Sequence, residues 1–234
     1  MVSELLQNAF ALAGKVRAIC AEVCARHIGR QDVVKATLLS LVSGRPAFFL
    51  GSPGVDKTGT IQGIVGKVGG AVFYDALMPT VVSVEQLLVE STSIEELPTE
   101  GGGRSVRTSD KLGRAALAHL VFADEIWKAE PRVLQTLLDL AKGDGIRHEG
   151  RLVATPLMAF LAASNELPDP EGNLGAVWSR MTLRVVVNPL DRAGKAELVK
   201  ARLNRDRKEQ RQANGAESMT LADIGLLRDA RPLV

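Results

Sequence analysis

Apolar residues fall along this chain in two rhythms. From Leu5 to Cys24, and again from Val33 to Val42, they recur at three- and four-residue intervals, which predicts two amphipathic helices. HIGRQ lies between them, with Gly29 marking the break. Five short continuous apolar runs follow: AFFL (47–50), AVFY (71–74), HLVFA (119–123), LMAFLAA (157–163) and LRVVV (183–187). A run without polar alternation predicts a strand covered on both faces, as in a parallel sheet. The helical intervals between the runs complete an α/β expectation: a five-stranded parallel sheet flanked by helices.

Two intervals depart from a plain helix. Residues 90–112 carry GGG at 101–103 among many Ser, Thr and charged residues, and read as an exposed insertion or flexible loop. Residues 143–155, GDGIRHEGRLVAT, read as a hairpin. After Pro189 the pattern turns polar and helical. This divides the chain into an α/β domain over 1–190 and a helical extension over 191–234. The basic stretch ARLNRDRKEQRQANG from Ala201 reads as a solvated helix face.

Composition narrows the function. A length of 234 residues suits one large α/β domain, or one domain plus part of another, and 46% apolar residues allow a sizeable core. A net charge of +2 with both signs intermixed lacks the concentrated basic face of a general nucleic-acid binder. No stretch approaches the roughly 20 apolar residues that span a bilayer. The longest, LVATPLMAFLAA from Leu152, is broken by Pro156, and the N-terminus lacks a basic leader region, so a cytoplasmic protein is expected. Cys20 and Cys24 sit four apart near His27, but no second cluster completes a metal site; a reduced, core-facing pair is expected.

The chemistry concentrates after the apolar runs. AFFL leads directly into GSPGVDKT (Gly51, Ser52, Pro53, Gly54, Val55, Asp56, Lys57, Thr58), which opens a helix. Such a loop turns backbone N–H groups toward phosphate oxygens, and the helix start favours their charge. Lys57 would reach the β and γ phosphates, and the Thr58 hydroxyl would ligate Mg²⁺. The strict pattern wants Gly where Asp56 stands, so taken alone the segment also fits an ordinary strand–turn–helix. The third run ends in Asp124–Glu125: Asp124 suits Mg²⁺ held through water, and Glu125 suits a general base for an attacking water. The fourth ends in Ser164–Asn165, where a neutral amide can position that water. Arg180 and Arg184 flank the start of the fifth and are candidates for charge stabilisation across a subunit boundary. Each has a plain alternative: a helix N-terminus, a turn before Pro168, a surface ion pair. The ordered set, each member beside a different strand, points to nucleotide hydrolysis.

FFLGSPGVDKT, VFADEIWKAEPRVLQTLL, FLAASNELP and WSRMTLR together resemble the MoxR family of AAA+ ATPases, and most closely its RavA-like subgroup. The resemblance runs from about His27 to Asn188. It implies a Walker A loop at Gly51–Thr58, Walker B acids at Asp124 and Glu125, and a sensor-1 residue at Asn165. HIGR (27–30), with His27, Ile28 and Gly29 as the nucleotide contacts, matches the segment that packs by the adenine base. The arginine finger falls on Arg180, with Arg184 as the alternative. Residues 90–112 and 143–155 correspond to the helix-2 insert and the pre-sensor-1 hairpin. Members of this family are hexameric, chaperone-like ATPases that use ATP and Mg²⁺, commonly with von Willebrand factor A domain partners, to remodel a client protein. The expected function is therefore ATP hydrolysis at subunit interfaces; the alternative is a degenerate, non-hydrolysing scaffold subunit.

Two departures bear on that choice. A carboxylate at Asp56 facing a phosphate at about 6 Å would cost about 3 kcal/mol, a hundredfold in ATP affinity. Gly59, Gly63 and Gly66 also weaken the following helix, by up to about 1 kcal/mol each. Finally, the sequence ends where the family's C-terminal helical lid should begin, so that lid, with its sensor-2 arginine, is expected to be largely absent.

Overall fold

The computed structural model describes residues 2–98, 104–142, 145–148, 151–169, 174–208 and 218–230. Helix α1 (Val2–Arg26) and α2 (Gln31–Ser43) come first, as their spacing predicts. α2 stops at Gly44, whose left-handed conformation lets its N–H bond to Ser40 O. Five strands then form the sheet: β1 (Ala47–Leu50), β2 (Phe73–Leu77), β3 (Leu120–Asp124), β4 (Ala159–Ser164) and β5 (Leu183–Val186). Their spatial order is β5-β1-β4-β3-β2, with every neighbouring pair parallel.

The continuous apolar runs serve two cores at once. Side chains alternate across a strand, so Phe48, Val121, Ala123, Phe160 and Ala162 face one cluster while Phe49, Phe122, Leu161 and Ala163 face another. The first cluster is closed by α4 (Val84–Leu88), α5 (Pro131–Lys142) and α6 (Gly175–Arg180), through Leu87, Leu88, Leu134, Leu137 and Val177. The opposite face is closed by α2 and by α3 (Lys57–Val65), through Val33 and Ile61. Only β1, β3 and β4 are covered throughout; at the sheet edges Val186 and Leu77 remain 63% and 48% exposed. A strand with one neighbour has no second element to bury its outer positions.

Two expectations shift. The strand expected at 71–74 forms at Phe73–Leu77, because its partner decides the register: Phe73 sits opposite Leu120 and Leu77 opposite Asp124. The insertion at 90–112 is an antiparallel hairpin, Val89–Pro98 against Arg104–Leu112, rather than a loop; residues 99–103 at its tip lie outside the described residues. A second hairpin pairs Ile146–His148 with Arg151–Val153, within the expected 143–155, of which residues 143, 144, 149 and 150 lie outside the described residues.

Beyond β5 come α7 (Arg192–Lys208) and α8 (Leu221–Ala230). α8 returns to the first two helices: Lys15 Nζ lies 3.0 Å from Asp223 Oδ2, and Arg228 donates to Leu41 O and Met158 O. Just before it, Met219–Thr220 pairs in parallel with Val68–Gly69. Cys20 and Cys24 are free, half-buried thiols against the α1–α2–α8 cluster, and burial pushes Cys24 up to about 11. No described helix is long and apolar enough to cross a membrane.

Candidate nucleotide site

The carboxyl ends of β1, β3 and β4 meet along one sheet edge, where open parallel sheets bind ligands. Leu50 is in register with Ser164, and Ala123 with Ala162, so Gly51, Asn165 and the Asp124–Glu125 pair emerge side by side. The Gly51 N–H donates to Ser164 O at 3.0 Å, tying the loop's origin to the end of β4. Ser52, Pro53 and Gly54 form an exposed turn, with Gly54 at φ 78°, and buried Val55 anchors it. α3 then begins at Lys57, directing its free N–H groups back at the turn.

Lys57 is 7% exposed, and its ammonium donates to Gly51 O at 2.5 Å. Burial pulls its pKa below the usual lysine value, while Asp124 and Glu125 push it back up. A buried cation thus lies within electrostatic reach of two carboxylates. Asp124 Oδ1 accepts the Glu125 N–H at 3.0 Å, which fixes its orientation. Glu125 is held at φ 54°, in left-handed backbone. The Lys128 ammonium lies 3.2 Å from Glu125 Oε2. That buried oxygen has no hydrogen-bond partner beyond this ion pair. Among the described residues, Asp56 and Glu125 are the two non-glycine residues at positive φ. Such backbone costs about 1–3 kcal/mol per residue and clusters at functional sites, which makes this edge the candidate. The donor set suits Mg²⁺ and a polyphosphate: exposed loop N–H groups, an ammonium, the Thr58 hydroxyl, an oriented Asp124 and an unsatisfied glutamate oxygen.

The loop's base side is built by the α1–α2 junction. Gly29, at φ 69°, packs so close to Leu190 that a Cβ would collide with it. Arg30, 6% exposed, donates through one guanidinium nitrogen to Gly29 O at 2.9 Å and to Asn188 O at 2.8 Å. These contacts wall a cavity of about 250 Å³ lined by Gly29, Arg30, Val187, Asn188, Leu190 and Asp191. Burial lowers the Arg30 pKa, and nearby Asp56 raises it in part. His27 Nδ1 lies 2.8 Å from Asp56 Oδ2, with the ring N–H donating to the carboxylate. The arrangement that would cost a hundredfold, Asp56 facing the phosphates, is therefore not the one found. The glycines of α3 acquire a reason as well. A Cβ at Gly59 would strike Asp56 Oδ1, and one at Gly63 would lie 2.7 Å from His27 Nε2.

The two candidate arginines differ. Arg184 donates to Met181 O and Trp178 O, both at 2.8 Å, and stacks 4.0 Å above the Trp178 ring. Trp178 itself packs against Phe48 and Trp127, at 5.4 and 6.1 Å between ring centres. Arg180 donates only within its own helix, to Ala176 O at 2.6 Å, among the bonds described. It precedes β5 at the end where Thr182 and Leu183 meet Pro46 O, opposite to Gly51 along β1.

The MoxR domain of MoxR-vWA-beta-propeller ternary systems matches residues 14–227. This chain belongs to the MoxR family. Two uncharacterised proteins of Methanocaldococcus jannaschii are each 32% identical to it, over 71% and 74% of this chain. A structural protein of Acidianus two-tailed virus is 31% identical over 78% of this chain. The chain spans 43%, 44% and 29% of the length of these relatives. The crystal structure of a candidate ATPase from Cytophaga hutchinsonii superposes with a TM-score of 0.67, covering 97% of this chain and 66% of that one at 15% identity. That likeness shows a shared fold.

In this MoxR domain, chain folding gathers Gly51–Thr58, Asp124, Glu125 and Asn165 at one edge, with His27–Gly29 beside them. It does not bring Arg180 or Arg184 to the chain's own loop. Sequence reasoning placed Arg30 in the HIGR segment but gave it no role of its own; the structure makes it a wall of the cavity beside Gly29. Its acceptor, Asn188 O, is 158 residues away, and no local pattern announces such a bond.

Proposed function

We propose that this MoxR domain binds and hydrolyses Mg-ATP at interfaces between copies of itself. The observation that carries the reading is buried Lys57 within electrostatic reach of Asp124 and Glu125, with Glu125 Oε2 paired to Lys128 but free of any hydrogen bond. Loop N–H groups and Lys57 hold the phosphates, and the cavity beside Gly29 takes the base. Thr58 and Asp124 would hold Mg²⁺, which supplies charge neutralisation at the phosphates. Glu125 accepts the proton of the attacking water, and the Asn165 amide positions that water. Arg180, unlike Arg184, has no structural task beyond its own helix among the bonds described, which favours it as the arginine offered to a neighbouring copy.

The family description supports a von Willebrand factor A domain partner and, with it, a β-propeller protein. A hexameric ring, a remodelled client, the RavA-like likeness, a cytoplasmic setting and a helical extension over 191–234 acting as the start of a lid belong to the same proposal. A second reading, a non-hydrolysing scaffold, is favoured by Asp56 in the loop and by the viral relative named as a structural protein.

Hydrolysis measured against protein concentration decides between them. A rate that climbs more than linearly and vanishes in Glu125→Gln, with ATP binding retained, supports the shared-site ATPase. No hydrolysis at any concentration, with ATP still bound, moves the assignment to the scaffold.

A further inference from the structure

We propose that His27 is a positioning residue that holds the Asp56 carboxylate away from the phosphates of a bound nucleotide. The inference rests on the nucleotide site argued above. Asp56 occupies the loop position where the strict phosphate-binding pattern has glycine, and its backbone takes the left-handed conformation, φ 61° and ψ 35°, that a glycine would adopt freely. The path of the loop is therefore kept, and what is added is a carboxylate beside a polyanion site.

Both carboxylate oxygens are accounted for. Oδ2 accepts a hydrogen bond from His27 Nδ1 at 2.8 Å, and Oδ1 lies over Gly59, in space that any side chain there would take. The main chain of His27 is itself anchored. Its backbone N–H closes the last turn of α1 on Val23 O at 2.9 Å, and its carbonyl accepts the Arg30 N–H at 3.1 Å. Its Nε2 edge lies over Gly63, and Val23 closes the same side. The anchor thus stands on the junction that walls the base cavity, and the buried Arg30 guanidinium lies near enough to Asp56 to feel its charge. Two helix glycines that weaken α3 are the spaces this pair occupies. An aspartate without that partner is free to rotate toward the phosphates, where charge repulsion is worth up to about a hundredfold in affinity.

The charge-dependent signature separates this role from an ordinary base contact. Dissociation constants for ATP and ADP are measured by calorimetry on the full chain. His27→Ala should weaken ATP by about tenfold or more, and weaken ATP more than ADP. In an Asp56→Asn background, which keeps the loop shape without the charge, His27→Ala should no longer discriminate between them. Gly63→Ala is the second variant: Ala favours the helix, while its Cβ displaces the ring, so it should reproduce the ATP-selective loss without unfolding the protein. Equal weakening of ATP and ADP, persisting in the Asp56→Asn background, makes His27 a wall of the base cavity and overturns the proposal. So does unchanged binding in both His27→Ala and Gly63→Ala. If the wild type binds neither nucleotide, the site itself fails, and that outcome is visible before any variant is compared.

Discussion

Arg30→Ala tests whether the base cavity is held by one buried cation. The wild-type guanidinium makes two bonds, to Gly29 O and Asn188 O, at 2.9 and 2.8 Å and with 6% of the residue exposed. Hydrogen bonds from a charged donor contribute about 1.5–3 kcal/mol each. The full sum is not expected. Burial already disfavours this cation, as its lowered pKa shows, and Gly29 and Asn188 are exposed enough for water to replace part of what is lost. A net loss of about 2–3 kcal/mol follows, or a fall in Tm of about 4–12 °C for a chain of this size. With the α1–α2 junction released from the segment after β5, ATP affinity should fall about tenfold. Arg30→Lys, which keeps the charge but loses the planar fork, should lose roughly half as much. Urea unfolding and nucleotide titration of the three proteins make the check. A stability change within about 0.5 kcal/mol, the ordinary range for a surface substitution, refutes the reasoning.

The two arginines of the α6–β5 segment should separate cleanly. Arg184→Ala removes two carbonyl bonds and a stacked Trp178 contact and should destabilise by about 1–2 kcal/mol in urea. Arg180→Ala should stay within about 0.5 kcal/mol yet abolish ATP turnover, since its own bond closes only a local helix turn. Lys57 sets a pH dependence. Its folded pKa is depressed by burial from 10.5, so just below that value the fold binds fewer protons than the unfolded chain. Stability should therefore rise with pH in that window, and Lys57→Met should flatten the rise; a wild-type curve equally flat there refutes the buried-cation account.

What the sequence determined alone was local or periodic. Runs without polar alternation announced strands, covered on both faces in β1, β3 and β4 but not at the edges β2 and β5, and AFFL became β1 with its ends unchanged, because a short, fully apolar run bounded by Pro46 and Gly51 has no other register to choose. That Gly51, Asp124 and Asn165 would meet was legible for the same reason, since a parallel sheet sends every strand's carboxyl end to one edge. Where two segments had to negotiate, sequence was mute. β2 moved to Phe73–Leu77 because β3 set its pairing, and residues flanking 99–103 became a ladder because each strand supplied the other's hydrogen bonds. Asp56 looked like a flaw in a phosphate loop and Gly59 and Gly63 like flaws in a helix. The contact that bears on all three comes from His27, 29 residues from Asp56 along the chain, just as the Arg30 bond reaches Asn188. A charge's cost depends on what it faces, and only tertiary structure brings that facing group into place.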